Sequence, residues 1–414
     1  MNRFKDLNFF PMGFWNYVPS NVVSPKDVYD WKQLGMSVIM SPEYREGDSK
    51  ENILAILDEC DKNNMKVIMC DYRSYWQNLM QGEDYYRKLF SEAVGDFGSH
   101  PAVISFIVGD EPSLDTFDLF CEAYNIQKEL CPSLSPFINL LGWSHDQKAL
   151  YDLTGYTDWE AYLENFYNKT SCDMLCYDIY YQMNPNKEYW DTYFANLNYY
   201  NKVAKAHNIP WWTTLLSVGH FRYQCPTIDD FRWQINSAVA HGAKGLLWFY
   251  IYQRWIDTNY RYAPINEFEE KTLTYEQLSY EIRRFRRQFE GVIEKLDMKK
   301  VFHVGKSYGN TPLFTATDFV INVYGENKTD AIVTFYDKGY VGVVNNDNRK
   351  SDKFFIEFGD NVKKVLRVGD FAKEIEVYPN KKPYYDIISN RPTLSMWLSP
   401  GGMEIYKIIR EGEK

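Results

Sequence analysis

Two carboxylates stand side by side directly after an apolar run. The segment Ile107-Val108-Gly109-Asp110-Glu111-Pro112-Ser113 places Asp110 and Glu111 at the end of what reads as a buried strand. Burial raises the pKa of a carboxyl group, and each negative charge opposes ionisation of the other. An acid that stays protonated near neutral pH can donate to a leaving group. We predict that Glu111 is a general acid/base assisted by Asp110. The alternative is that both only favour the start of the next helix.

A third carboxylate lies inside an apolar run. Asp178 occupies the middle of Cys176-Tyr177-Asp178-Ile179-Tyr180-Tyr181. A charge inside a strand is costly unless it is paired or functional. Asp178 is therefore predicted to be the catalytic partner of Glu111. The alternative is a structural Asp that a neighbouring Arg holds.

Aromatic and polar residues stand at the ends of the other predicted strands. Aromatic residues make up 17% of the chain, a surplus that is typical of surfaces for flat, partly hydroxylated ligands. Any single ring can instead belong to the core, and His220 can be a solvated loop residue. The predicted ligand-binding residues are Trp15, Tyr17, Asp71, Arg73, Trp143, Tyr180, Tyr181, His220, Trp248, Tyr250 and Trp255.

Predicted strands and helices, which must position these residues, alternate along the chain up to about residue 297. Short apolar runs that read as buried parallel strands are separated by longer amphipathic stretches that read as helices. The expected strands are Phe9–Val18, Ser37–Ser41, Lys66–Asp71, Val103–Gly109, Pro136–Leu141, Met174–Tyr181, Trp211–Val218 and Gly245–Tyr252. Eight strand–helix units predict an α/β fold, the (β/α)8 TIM barrel, whose reactive groups lie at the C-terminal ends of the strands.

A doubly wound open sheet is the structural alternative. That fold usually carries a Gly-rich phosphate loop after its first strand. Here the first strand ends in Trp15-Asn16-Tyr17-Val18-Pro19, and no Gly-rich loop follows it. The barrel is therefore favoured.

The pattern of polar and apolar residues changes after Leu296. Short alternating runs separated by Gly, Asn and Asp predict an antiparallel β-sandwich. The six runs are Asp330–Tyr336, Tyr340–Val344, Lys353–Glu357, Lys363–Val368, Thr393–Leu398 and Met403–Ile409. We expect two domains, a catalytic barrel over residues 1–297 and a C-terminal sandwich over residues 298–414.

Composition excludes several classes of partner. A formal net charge of -10 argues against nucleic acid and against anionic membranes. No apolar run is long enough to span a bilayer, and the N-terminus does not read as a signal peptide. We expect a cytoplasmic protein, or a secreted one whose leader has been removed. The sequence leaves the oligomeric state open.

Cysteine and histidine usage predicts neither a disulfide framework nor a metal site. The seven cysteines all lie before residue 230 and are scattered over apolar segments, which is typical of buried, reduced thiols. Cys172 and Cys176 have no second ligand pair at zinc spacing. We expect no metal and no cofactor.

Three motifs resemble a known group of enzymes. The segment "HPAVISFIVGDEPS" resembles the acid/base strand of (β/α)8-barrel glycoside hydrolases, which often ends in Asn-Glu-Pro or Asp-Glu-Pro. The segment "AVAHGAKGLLWFYIYQ" resembles their eighth strand, and "SPGGMEIYKI" resembles the last strand of their accessory sandwich. The resemblance implies that Glu111 is the general acid and that Trp248 forms the floor of a sugar subsite.

The resemblance leaves the partner of Glu111 open. The seventh strand, "PWWTTLLSVGH", has no Glu where the large retaining clan keeps its nucleophile. The adjacent Asp110 and Glu111 are similar to the pair in substrate-assisted N-acetylhexosaminidases, in which the Asp orients a 2-acetamido group and a Tyr, here Tyr180, helps. Alternatively, Asp178 or Asp71 is the partner carboxylate, at about 5–5.5 Å for retention or about 6.5–9.5 Å for inversion.

We therefore expect a glycoside hydrolase that acts on a neutral oligosaccharide or glycoside. The alternative from another class is a non-catalytic carbohydrate-binding protein on the same barrel, since fold alone does not fix function. A metal-assisted hydrolase is a weaker alternative, because no two of the six histidines stand four apart on one helix.

Overall fold

The computed structural model describes residues 2–253, 256–380 and 390–412. It divides into two compact units, the first made of Met1–Thr192, Tyr199–Cys225 and Lys244–Tyr280, and the second of Tyr193–Asn198, Pro226–Ala243 and Glu281–Lys414. The boundary expected near residue 297 remains a prediction, because proximity in the folded chain does not show which part folds alone.

The first unit contains eight parallel strands in the hydrogen-bonded order β1-β8-β7-β6-β5-β4-β3-β2. This confirms the predicted (β/α)8 barrel. Its strands are β1 Met12–Phe14, β2 Val38–Met40, β3 Lys66–Met69, β4 Val103–Asp110, β5 Phe137–Leu141, β6 Leu175–Asp178, β7 Trp211–Leu216 and β8 Gly245–Phe249.

The barrel is nearly closed between its first and second strands. Ser37 donates its backbone N–H to the carbonyl of Met12 at 2.8 Å. Gly13 permits this approach, because a Cβ atom there would lie 2.1 Å from the carbonyl oxygen of Val38. All strands except β4 are shorter than predicted, and six of them end earlier because the residues that follow leave the hydrogen-bonded ladder. Strand β4 instead extends one residue further than predicted, to Asp110.

Helices alternate with the strands as expected, with two helices instead of one between β5 and β6. They are α1 Asp27–Leu34, α2 Lys50–Lys62, α3 Glu83–Ala93, α4 Phe117–Leu130, α5 Gln147–Thr154, α6 Trp159–Thr170, α7 Trp190–Ala206, α8 Ile228–Ala240 and α9 Leu273–Phe289. In α2, the Ser49 side chain caps the first turn and one face buries Ile53, Ile56 and Leu57. None of the helices in the described ranges is long and apolar enough to cross a membrane.

The second unit contains two antiparallel sheets that form the predicted sandwich. One sheet has the order β15-β14-β17-β12-β11-β9 and the other β10-β13-β16. The strands are β9 Met298–Val304, β10 Val320–Gly325, β11 Ala331–Tyr336, β12 Tyr340–Asn345, β13 Asp352–Phe358, β14 Val362–Val368, β15 Glu374–Val377, β16 Thr393–Leu398 and β17 Met403–Arg410. Inward residues such as Val333, Val343 and Phe354 form its core.

Candidate active site

Asp110 and Glu111 lie where β4 ends. The strand is buried through Gly109, where a Cβ atom would stand 2.5 Å from the ring of Phe120. Glu111 adopts a φ of 47°, which is uncommon for a non-glycine residue, and its N–H donates to the carbonyl of Asn139 at 2.9 Å. Such backbone strain persists where the surroundings fix it, often at functional sites.

The helix-start alternative for these carboxylates does not hold. Helix α4 begins at Phe117, after an N-cap at Thr116, and its first-turn acid is Asp118. Asp110 and Glu111 therefore lie outside the first turn, where the helix dipole has little effect.

Asp178 lies at the end of β6, close to both residues. The Asn139 side chain on β5 donates to the Oδ1 atom of Asp110 at 3.0 Å and to the Oδ1 atom of Asp178 at 2.7 Å. Glu111 and Asp178 are joined by a side-chain hydrogen bond, and Tyr180 donates to Asp178. Asp110, Glu111 and Asp178 thus form one group, which we call the carboxylate cluster.

Crowding and desolvation raise the pKa of every member of this cluster. Desolvation is the largest cause for Glu111, followed by the charges of Asp178 and Asp110, and its pKa rises to about 9. The pKa of Asp110 rises to about 7, through desolvation and the charge of Asp178. Burial also raises the pKa of Asp178, although hydrogen bonds from Tyr180 and Asn139 oppose the shift.

The cluster is open to solvent on one side. The side chains of Asp110 and Glu111 are exposed by surface area, and Asp178 is half-buried. Desolvation nevertheless dominates their pKa values, because protein atoms surround each carboxyl except at this opening. A carboxylic acid beside such an opening can hold its proton and still reach a ligand.

Tyr17 lies above the cluster. Its ring is 43% exposed and stacks on Trp15, with centroids 5.7 Å apart. Desolvation and the charges of Asp110, Asp178 and Glu111 raise the pKa of its hydroxyl well above the ordinary value. Tyr17 is therefore a neutral phenol that can donate a hydrogen bond beside the cluster.

Further rings continue from Tyr180 along one side of the site. Tyr180 packs against Phe249, with centroids 5.3 Å apart, and against His220 and Tyr223. His220 in turn stacks on Tyr260 at 4.9 Å. Tyr180 thus lies beside Asp178, and His220 packs against Tyr180; that either residue binds a ligand stays a prediction.

Asp71 and Arg73 bind each other. Two nitrogens of the Arg73 guanidinium donate to the two carboxylate oxygens of Asp71 at 3.0 and 2.8 Å, and a third donates to Asp96 at 2.8 Å. Both Asp71 and Arg73 are buried. Asp71 is therefore the Arg-held structural carboxylate, and the prediction that it or Arg73 contacts substrate is corrected.

Three of the predicted stacking residues lie in the core. Trp248 is 0% exposed, Trp15 is 5% exposed and donates its indole N–H to Thr214, and Tyr250 is 5% exposed. A ring that has no free face cannot stack on a sugar, so the expectation that Trp248 forms a subsite floor does not hold for this ring. Phe249, the next residue of β8, is half-buried beside Tyr180 instead.

Two of the remaining predicted rings are half-buried, and the structure does not describe the third. Trp143 and Tyr181 are half-buried, the first against Tyr199 and the second between His145 and Tyr189. Trp255 lies outside the described residues. Among the residues that the structure does describe, no group of three or more His, Cys, Asp or Glu side chains is placed to hold a metal ion.

Sequence reasoning missed the role of Asn139 and the rings Phe249, Tyr223 and Tyr260. Asn139 was recognisable only as a polar residue at a strand end. Its partners depend on the register of β5, in which Asn139 pairs with Asp110 and Leu141 pairs with Asp178.

Comparison with known proteins shows the fold and not a family. No protein-family model matches the chain, and no curated protein sequence matches it. Among solved structures, the chain is similar to a family 5 glycoside hydrolase from Bacteroides vulgatus ATCC 8482, with a TM-score of 0.55 and 11% identity over 98% of this chain and 90% of that one.

Two further solved structures are also similar in fold to this chain at low sequence identity. A family 39 glycoside hydrolase from Bacteroides cellulosilyticus WH2 has a TM-score of 0.54 and 10% identity over 99% of this chain and 82% of that one. The β-galactosidase of Marinomonas ef1 has a TM-score of 0.51 and 12% identity over 67% of this chain, which spans only 59% of the galactosidase. The chain thus has a glycoside hydrolase-like fold, a TIM barrel followed by a β-sandwich.

Proposed function

We propose that the protein is a glycoside hydrolase with Glu111 as its general acid/base. The observation that carries the proposal is the grouping of three carboxyl groups at the ends of β4 and β6, where Asn139 bridges Asp110 and Asp178 and Glu111 shares a side-chain hydrogen bond with Asp178. The C-terminal ends of the strands are where enzymes with this barrel keep their reactive groups. Exposed and half-buried rings beside the cluster, Tyr17 and Phe249, suit a sugar ligand.

The closeness of the pair favours one mechanism over the others. Glu111 and Asp178 are hydrogen-bonded to each other, whereas retaining pairs stand about 5–5.5 Å apart and inverting pairs about 6.5–9.5 Å. A pair that shares a hydrogen bond is closer than either scheme requires, which favours a mechanism that places no sugar carbon between its members. Substrate-assisted hydrolysis, an exception to the two-carboxylate scheme, is such a mechanism because the nucleophile belongs to the substrate. A 2-acetamido sugar is therefore the proposed substrate.

The proposed reaction has two steps. First, the acetamido oxygen attacks C1, the C1–O glycosidic bond breaks, and the Glu111 proton moves to the leaving oxygen. An ionised Asp178 accepts the acetamido N–H, and Tyr180 fixes that carboxylate. Second, water attacks C1, the cyclic intermediate opens, and Glu111 takes up the water proton. The raised pKa of Glu111 keeps its proton in place at neutral pH for the first step.

The experiment compares 4-nitrophenyl glycosides of several neutral sugars with the 2-acetamido-2-deoxy glycosides. We expect turnover of a 2-acetamido substrate, and slower turnover when trifluoroacetyl replaces acetyl, since the internal nucleophile is then weaker. Glu111→Gln and Asp178→Asn should each lose about 10²–10⁴-fold in kcat. Glu129→Gln and Asp152→Asn make the same chemical changes in exposed ion pairs on helices and should keep full activity.

Each outcome of the panel has a distinct meaning. If only the glycosides of neutral sugars are turned over, and replacing acetyl by trifluoroacetyl changes no rate, the protein is still a glycoside hydrolase but the substrate-assisted mechanism is wrong. Binding of sugars in calorimetry without any cleavage would overturn the hydrolase in favour of a carbohydrate-binding protein. Loss of activity in excess chelator would instead indicate metal-assisted chemistry.

A further inference from the structure

Asn139 contacts all three members of the carboxylate cluster. Its backbone carbonyl accepts the N–H of Glu111 at 2.9 Å, and its side-chain nitrogen donates to Asp110 at 3.0 Å and to Asp178 at 2.7 Å. It lies on β5 between the two strands that carry the carboxylates, and it is 1% exposed. Its own side chain therefore does not reach solvent or a ligand.

The direction of these bonds favours the ionised forms of their acceptors. A carboxamide NH2 group has two hydrogens, and Asn139 uses both on carboxylate oxygens. These bonds stabilise the ionised forms, so they lower the pKa of Asp110 and of Asp178 against the other influences. Glu111 receives no such side-chain bond, and its contact with Asp178 raises its pKa.

The carbonyl oxygen of the same side chain is left over. Asn139 Oδ1 is buried and has no hydrogen-bond partner within the described ranges of the chain. An unsatisfied buried acceptor costs stability, so its presence calls for a reason beyond packing. An apolar residue of similar size, such as Leu, would fill the same space in the barrel without that cost.

We propose that Asn139 is a positioning residue that decides which carboxyl group carries the proton. Its carboxamide donates to Asp110 and Asp178 through bonds that are stronger when the acceptor is ionised, and its backbone carbonyl fixes the backbone of Glu111, to which the proton is left. This proposal deepens the proposed function and rests on it. Asn139 touches no reacting atom and acts through the cluster.

Several other titratable groups face the cluster. Desolvation and nearby negative charge raise the pKa of each of them above its ordinary value, so they stay neutral in the acid range. They are Tyr17, Tyr162, Cys176, Tyr180 and Tyr223. The acid limb of a pH profile therefore reports the aspartates.

The test is Asn139→Leu, with Asn139→Ser as a variant that keeps one donor. We expect kcat to fall about 10–100-fold with little change in KM, because the bound substrate does not touch Asn139. The acid limb of the kcat profile should move up by about one pH unit, since the aspartates lose the bonds that favour their ionised forms. Asn139→Ser should lie between Leu and the natural protein.

Gln127→Met is the matched control. Gln127 is also a buried amide whose nitrogen donates twice, to Ser74 O at 2.7 Å and Tyr86 OH at 2.9 Å, and whose carbonyl oxygen has no partner among the described residues. Its loss should lower the melting temperature and leave the pH profile in place. An unmoved acid limb in Asn139→Leu, with only the melting temperature lowered, would overturn the proposal.

A second readout separates this proposal from the function on which it rests. In protein labelled with ¹³C at the Asp carboxyl carbons, NMR titration follows Asp110 and Asp178 without any substrate, and Asp110→Asn and Asp178→Asn assign the signals. Their midpoints should rise in Asn139→Leu. Unchanged midpoints would overturn the role of Asn139 even in an active enzyme, whereas shifted midpoints in a protein that cleaves no glycoside would overturn the proposed function alone.

Discussion

The carboxyl group of Glu111 is hydrogen-bonded to that of Asp178, although the two residues end different strands of the barrel. Two carboxyl groups in contact cannot both be ionised at low cost, so one proton is retained between them. Desolvation and the nearby charge of Asp110 strengthen this effect at Glu111. The relationship yields predictions for pH dependence, stability and ligand binding.

Activity should persist into the alkaline range. The pKa of Glu111 is raised to about 9, so the acid form is present at neutral pH and is lost only as the pH rises through that raised pKa. A profile of kcat/KM against pH should therefore show its alkaline limb well above pH 7. Tyr17→Phe should leave the limb in place, which excludes the neighbouring phenol as its source. A limb near pH 4–5 would contradict the assignment.

Glu111→Gln should stabilise the protein at high pH. A carboxyl group whose pKa is raised in the folded state contributes stability that is present below its unfolded pKa and lost as the pH rises. Glutamine does not ionise in the unfolded chain, so the variant avoids this loss. We expect a melting temperature about 2–4 °C higher at pH 8 and a much smaller difference at pH 4. Calorimetry measures both, and an equal shift at the two pH values would disprove the linkage.

Arg73→Met should destabilise the barrel strongly. The change leaves Asp71 fully buried without its bidentate partner, for which a loss of about 3–5 kcal/mol is typical. The KM for a glycoside should stay unchanged, because the pair is structural. Urea denaturation gives the free energy of unfolding, and Asp71→Asn combined with Arg73→Met should recover part of it. A raised KM with unchanged stability would restore Asp71 and Arg73 to the ligand site.

Exposed and buried rings should respond differently to truncation. Phe221 is 67% exposed and contacts His220, with centroids 4.1 Å apart. Phe221→Ala should raise the KM for longer saccharides and leave the melting temperature unchanged. Trp248→Ala removes a fully buried ring and should cost about 3–5 kcal/mol of stability. Substrate-length series and thermal melts measure the two effects, and the reverse pattern would return Trp248 to the ligand site.

The barrel and the carboxylates at the C-terminal ends of its strands could be predicted from sequence, because both depend on local sequence patterns. A buried strand followed by Asp110 and Glu111, and the single charge inside the β6 segment, are signals of residue type alone. Six sandwich strands could be predicted from their alternating patterns, and Thr393–Leu398 matches β16 at both ends. Strands β9, β10 and β15 were not predicted. The residues of β9 and β10 do not alternate cleanly between polar and apolar, and β15, which does alternate, is only four residues long.

The orientation of the strand-end rings could not be predicted in the same way. Both faces of a barrel strand are buried, so the alternation that separates inside from outside in an exposed sheet is lost. In β8, Leu246, Leu247 and Trp248 are all 0% exposed. Likewise, neither the bridge from Asn139 nor the left-handed φ of Glu111 has a signal in residue type, because both depend on how neighbouring strands pair.

The most direct test of Glu111 compares leaving groups of different basicity. In Glu111→Gln, the kcat/KM of a 2,4-dinitrophenyl glycoside, whose leaving group needs no proton, should stay within about tenfold of the natural protein's value, because kcat/KM reports bond cleavage and not the later water step that also uses Glu111. A 4-methoxyphenyl glycoside of the same sugar, whose leaving group needs one, should lose about 10²–10⁴-fold. If both substrates lose the same factor, or neither loses any, Glu111 is not the proton donor and the proposed mechanism is wrong.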